Sequence, residues 1–232
     1  MSARPASADT LLFDLDGTLT DSRPGILASI RHALAAMDAD DAQDDEALRR
    51  CLGPPLRESF ASLLATGDGA VIDRAIAHYR ERFADIGWRE NSVYDGIVDA
   101  LAALAARGHR MLVCTSKPLV YASRIVEHFG LAGWFSGIRG PGLDGALDDK
   151  RDLLALLLRE EHLDPAHTAM IGDRHHDLRA ARANGTRAVG VLWGYGSREE
   201  LAAADLLVAS PAHLVQDLAR LGPASGAAPI TQ

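Results

Sequence analysis

Lysine is nearly missing from this chain: of its 24 basic residues only Lys117 and Lys150 are lysines, and the rest are arginine. Where arginine serves as the general cation, a lysine hints that a compact, mobile ammonium is wanted at that position. Cysteine is equally scarce, with Cys51 and Cys114 far apart and in no metal-type spacing. Two packed thiols in a reducing compartment are expected, not a disulfide framework or a thiolate metal site. Positive charge is not in excess either. The formal net charge of −8 leaves no basic field for nucleic acid and no basic cluster beside a membrane. No apolar run approaches a membrane span, and the opening residues MSARPASAD lack the apolar core of a signal peptide, so the cytoplasm is the expected location.

What is present is an ordinary globular composition over 232 residues, long enough for one large domain or a domain carrying an insertion. Short apolar runs recur: TLLFD (10–14), RMLVC (110–114), TAMIG (168–172), RAVGV (187–191) and DLLV (205–208). Most show no alternation, which predicts strands buried on both faces, as in a parallel sheet. Helical patterns lie between them, IVDALAALAARG, LVYASRIVEHFG, DLLALLLREEH and DLRAARANG, several closing on glycine. The alternation predicts a doubly wound, Rossmann-like α/β core. Residues 22–91 break the rhythm. Ile26, Ile30, Leu34 and Met37, then Ile72, Ile76, Tyr79, Phe83 and Ile86, fall at helical spacing with no strand signal, so a block of helices is inserted after the first strand. The expected division is 1–20 with 92–221 for the core and 21–91 for the helical insert. DADDAQDDE (38–46) and TGDG (66–69) read as loops, and 222–232 as a disordered tail. There is no internal repeat, and nothing in the sequence speaks to oligomeric state.

In open α/β sheets, ligands bind beyond the carboxyl ends of the strands. The residues found there are Asp14 and Asp16, then Thr115, Ser116 and Lys117, then Asp173 and Asp177. Four converging carboxylates need a counter-charge, and a divalent cation is the simplest. With only oxygen ligands on offer the ion is a hard one, and Mg²⁺ fits best because it accepts a few carboxylates, waters and a substrate phosphate.

DLDGTLTD, CTSKP, a later lysine and IGDRHHD, in this order and at these separations, resemble the haloacid dehalogenase superfamily in its phosphatase branch. The resemblance covers nearly the whole chain, including a helical cap between the first two motifs. LGPPLRESF, TSKPLVYASRIVEHFG and VLWGYGSREEL are most similar to phosphoglycolate phosphatase-like proteins, some of which carry nucleotidase names. The resemblance implies Asp14 as nucleophile, forming an aspartyl-phosphate, and Asp16 as the acid and base for leaving alcohol and water. It implies Asp14, Asp173 and the backbone carbonyl of Asp16 as metal ligands, with Asp177 supporting the metal. Gly17 permits the turn and, with Thr18, Thr115 and Ser116, meets phosphoryl oxygens, and Lys150 neutralises charge on Asp14 and the phosphoryl group. Lys117 and Arg57 are candidates near the substrate.

Plainer readings stand beside these. Thr115 is equally placed to cap a helix, Asp177 to favour a helix N-terminus, and Arg57 to be a solvated helix residue. His175 and His176 read as polar loop residues, and Trp88, Trp134 and Trp193 as packing. Asp16 argues against a dehalogenase. The absence of lysine from 22–91 argues against a phosphonatase, and Thr18 against a sugar-phosphate mutase. A non-catalytic protein on this fold would have no need of both Asp14 and Asp16. The expected function is Mg²⁺-dependent hydrolysis of a small phosphorylated metabolite, 2-phosphoglycolate first, with nucleoside 5'-monophosphates and then a mutase reaction as alternatives.

Overall fold

The computed structural model describes residues 9–39 and 45–221. The expected tail at 222–232, and residues 40–44 of the acidic loop, lie outside them. The chain divides into two compact units, Met1–Leu19 with Val93–Gln232, and Thr20–Ser92.

The first unit is the α/β core. Its six-stranded sheet runs in the order β5-β4-β1-β6-β7-β8, with β1 Thr10–Phe13, β4 Arg110–Cys114, β5 Ile138–Arg139, β6 Thr168–Gly172, β7 Arg187–Val191 and β8 Leu206–Val208. Every neighbouring pair is parallel. The register aligns Phe13 with Val113 on one side and Ile171 on the other. All four residues of β1 and all five of β6 are buried, as uninterrupted apolar strands at the centre of a two-sided sheet require. Helices α5 (Ile97–Ala106), α6 (Leu119–His128), α7 (Lys150–Glu160), α8 (His175–Ala183) and α9 (Pro211–Leu218) flank it. Leu153, Leu154 and Leu157 of α7 and Leu178 and Ala181 of α8 pack with Leu12, Leu112 and Met170 of the strands. Each fully buried leucine contributes about 1.5–3 kcal/mol. Cys114 is part of that packing, and burial pushes its thiol up to about 12. Both cysteines are buried and unpaired.

The second unit holds α1 (Arg23–Ala36), α2 (Asp45–Arg49), α3 (Leu56–Leu63) and α4 (Gly69–Arg82). A π-helical turn, Phe83–Gly87, continues α4. This turn changes one expectation. Phe83 is buried at 2% exposure, but Ile86, placed on the same face by helical spacing, is 37% exposed, because the wider π turn rotates its later residues off that face. Tyr79 stacks on Phe83 and meets Phe60 edge-on. Arg82 grips Glu90 through two hydrogen bonds of 2.6 and 2.8 Å. A two-stranded pair joins β2 (Thr20–Asp21) to β3 (Ser92–Val93) at the ends of the insert.

Candidate active site

β1 stops at Phe13, and the chain bends through Asp14 and Leu15. The Asp14 N–H donates to the Ile171 carbonyl at 2.9 Å, and its carboxylate accepts the Leu15 N–H at 2.8 Å. Gly17 stands at φ 80°, where a side chain would strain the backbone and overlap the Asp173 carboxylate. Two aspartates two residues apart therefore do not sit in regular strand geometry, and each has its own cation. Lys150 Nζ lies 3.0 Å from Asp14 and 2.5 Å from Asp177. Lys117 Nζ donates to Asp16 Oδ2 at 2.6 Å.

Lys150 opens α7 and is buried with Asp177, whose second oxygen accepts the Arg174 N–H at 3.0 Å. Burial works against the ammonium, yet the charges of Asp14 and Asp177 outweigh it and raise its pKa. Asp173 is fully buried, and burial, with the charges of Asp177 and Asp14, pushes its carboxyl well above the usual carboxylate range. Burial also raises Asp177, against the opposing pull of Lys150. Ligand atoms of Asp14, Asp173 and Asp177 lie within 4.8 Å of one another. Three buried carboxylates with one ammonium among them leave an excess of negative charge. An all-oxygen donor set of this kind fits a hard cation. The Asp16 carboxylate is not one of the three, and turns to Lys117 instead.

Other candidates fall at varied distances from this cluster. The Thr18 hydroxyl donates to Asp173 at 3.3 Å and its N–H to the Leu15 carbonyl at 3.3 Å. Thr18 is fully buried with both donors engaged, and its hydroxyl supports Asp173. Thr115, also buried, accepts the Lys117 N–H at 3.2 Å, and Ser116 beside it is half-buried. Arg57 lies in the helical unit, exposed, its guanidinium paired with Asp73. The His175 ring bonds Glu200 at 2.8 Å and stacks on His176, which burial and neighbouring positive charge hold down to about 4.

Sequence reasoning missed the loop after β7. The Trp193 indole N–H donates to the Thr18 carbonyl at 3.0 Å, and the Tyr195 N–H to Asp173 at 2.7 Å. Trp193 is thus more than packing. A methyl group at Gly194 would overlap Asp173 and the Gly17 carbonyl, and one at Gly172 would overlap Asp177. The signal was the GYG spacing just past a buried strand. Glu200 was missed too; it accepts from Arg174 Nε at 2.8 Å and the His175 N–H at 2.9 Å, tying down the start of α8.

The class that fold and site define is an α/β protein with a parallel sheet whose central strand is followed by two lysine-paired aspartates. The haloacid dehalogenase-like hydrolase family profile matches residues 11–191, and the chain belongs to that family. A 5'-nucleotidase of Pseudomonas aeruginosa is 45% identical over 211 residues, 91% of this chain and 92% of that protein. The tyrosine-protein kinase PtkA of Mycobacterium tuberculosis is 40% identical over 212 residues, 91% of this chain and 72% of that protein. Proteins named phosphoglycolate phosphatase are similar at 28–29% identity. Among solved structures, a predicted phosphatase from Clostridium acetobutylicum matches with a TM-score of 0.87 and 39% identity, over 93% of this chain and 100% of that one. The family, the fold and an enzymatic role read from the sequence all hold.

Proposed function

We propose that the chain hydrolyses a small phosphomonoester through an aspartyl-phosphate on Asp14. The observation that carries this reading is the pairing of Lys150 with Asp14 and Asp177 beside Asp173, while Asp16 stands apart on Lys117. The Asp14 carboxylate attacks phosphorus as the bond to the leaving oxygen breaks, and Asp16 gives that oxygen its proton. The alcohol departs. Asp16 then takes a proton from water as the water oxygen attacks phosphorus, the Asp14–phosphorus bond breaks, and inorganic phosphate leaves. Lys150 holds Asp14 in place and offsets its charge throughout. Asp14, Asp173 and Asp177 would hold Mg²⁺, joined by the Asp16 carbonyl that the family resemblance implies. When bound, the ion offsets the charge of phosphoryl oxygens and carboxylates.

For the substrate we favour a nucleoside 5'-monophosphate. The sequence reading put 2-phosphoglycolate first; the order changes because the relative at 45% identity carries the nucleotidase name and those named for phosphoglycolate stand at 28–29%. The helical insert acts as a specificity cap, and the two buried unpaired cysteines suit the cytoplasm. The test is Mg²⁺-dependent phosphate release from nucleoside 5'-monophosphates, 2-phosphoglycolate, sugar phosphates and phosphotyrosine, with Asp14→Asn in parallel. Nucleotide preference abolished in the variant is expected. A preference for 2-phosphoglycolate would overturn the substrate choice alone, and release surviving Asp14→Asn would overturn the mechanism.

A further inference from the structure

The two lysines of the chain are divided between the two aspartates of DLDG: Lys150 reaches Asp14, and Lys117 reaches Asp16. Lys117 is the residue for which the proposed reaction has no use. It is nonetheless 7% exposed, and its ammonium is 2.6 Å from Asp16 Oδ2. Its backbone is held from several directions. The Lys117 N–H donates to Thr115 Oγ1 at 3.2 Å, and the Leu119 N–H just beyond donates to the Pro141 carbonyl at 2.9 Å. Pro118 comes next in the chain, restricting Lys117 to extended conformations. Gly140 presses so closely on the Lys117 carbonyl that a methyl group there would overlap it. A long, flexible side chain is thus launched from a fixed point towards one oxygen of Asp16. The other oxygen, Oδ1, is buried and has no hydrogen-bond partner among the described residues.

We propose that Lys117 is a positioning residue: by holding Asp16 through Oδ2 it fixes the rotamer that presents Oδ1 to the leaving oxygen of the substrate. This rests on the reading of Asp16 as the group that protonates the leaving alcohol. Asp16 lies past the bend after β1 and immediately precedes Gly17, and its side chain is 18% exposed, so the strand does not dictate where its carboxylate points. An ammonium suits the task because it donates in several directions from one point, whereas a guanidinium requires a planar, forked partner.

The distinguishing measurement is kcat/KM on two substrates with unlike leaving groups, because a phenolate such as p-nitrophenolate leaves without being protonated and an aliphatic alkoxide does not. Lys117→Met, Lys117→Arg and Asp16→Ala are compared with the native enzyme on p-nitrophenyl phosphate and a nucleoside 5'-monophosphate, using 2-phosphoglycolate if the nucleotide is not turned over. Lys117→Met is expected to lose about 10- to 100-fold on the alkyl ester, a part of what general acid catalysis supplies, and no more than about 3-fold on the aryl ester. Lys117→Arg is expected to recover part of the difference. Equal losses on both esters would place Lys117 on the phosphoryl group and overturn the proposal, as would no loss on either. If Asp16→Ala shows the leaving-group dependence and Lys117→Met does not, the positioning role fails and the acid role of Asp16 stands. If neither shows it, the acid role fails and takes the proposal with it. Should Lys117→Met fold poorly by circular dichroism, Lys117→Gln supplies the same comparison.

Discussion

Replacing Lys150 by methionine removes a charge and little volume, so its effect isolates the electrostatics of the site. The lysine side chain is 4% exposed, 3.0 Å from Asp14 and 2.5 Å from Asp177. Methionine satisfies neither carboxylate, and Asp177 is left with the Arg174 N–H on its other oxygen. Removing one partner of a buried ion pair costs about 3–5 kcal/mol, because the other charge is left uncompensated. At about 2–4 °C per kcal/mol for a chain of this size, Tm falls by about 10 °C in chelator at about pH 8. The pH dependence has a definite sign. Burial already holds Asp177 above its ordinary value, Lys150 opposes that, and Asp14 adds to it. Without Lys150 the carboxyl rises further. A carboxyl raised in the folded state contributes stability at low pH and loses it as pH climbs through the folded value, so the deficit grows from about pH 5 to about pH 8. Adding Asp177→Asn to Lys150→Met removes the stranded charge while an amide oxygen still accepts from Arg174. The double variant should recover more than half of the deficit in thermal melts. A single variant melting within about 2 °C of the native protein at both pH values, or a double variant less stable than the single one, would refute the reasoning.

The same geometry gives three further outcomes. Gly194→Ala drives a methyl group into Asp173 and the Gly17 carbonyl, and should cost about 1–3 kcal/mol in urea unfolding together with most of the phosphate release. Trp193→Phe deletes the 3.0 Å hydrogen bond to the Thr18 carbonyl but keeps an aromatic ring; a loss of about 1 kcal/mol is expected, read as a lower urea midpoint. Mg²⁺ added to chelator-treated protein should raise Tm more at about pH 8 than at about pH 5, because Asp173 and Asp177 are held above their ordinary value of 3.8 and must give up protons to bind it. Calorimetry in two buffers of different ionisation heat would detect that proton release, and equal heats would count against it.

The core strands were legible because each is buried on both faces and so reads as an unbroken apolar run. β5 was not, since Ile138–Arg139 is two half-buried residues at the sheet edge, held by Val113 and Thr115 N–H groups donating to Gly137 and Arg139 carbonyls. Edge strands of that length leave no periodicity to read. α9 was missed as well, its PAHLVQDL pattern being short and lying beyond the last apolar run. Helical spacing carried correctly through α4 and failed at Ile86, where the hydrogen bonding widens to a π turn. The candidate residues at strand ends were legible from chain order alone, because a parallel sheet sends the ends of its strands to one edge. Which atom bonds which was not. That Thr18 serves Asp173, and that Trp193 reaches back to Thr18, depends on side chains far apart in sequence meeting across the sheet.

Composition held more of the site than spacing did. Two carboxylates on one bend repel by about 1–4 kcal/mol at a few ångströms, depending on how much water screens them, so the turn after β1 is stable only with positive charge at hand. A metal shared by both aspartates was one way to supply it. The side chains divide the task differently: Lys150 answers for Asp14 together with Asp177, Lys117 answers for Asp16, and the three-carboxylate cluster excludes the Asp16 side chain. That separation suits unlike chemistry. A nucleophile benefits from a fixed position and a neighbouring charge that never leaves, whereas an acid that must give up a proton and take one back benefits from a contact on one oxygen with the other without a hydrogen bond. A chain that uses arginine everywhere else has placed its two ammonium groups on two neighbouring aspartates, and the difference in what each lysine touches is the physical basis for assigning those aspartates different tasks.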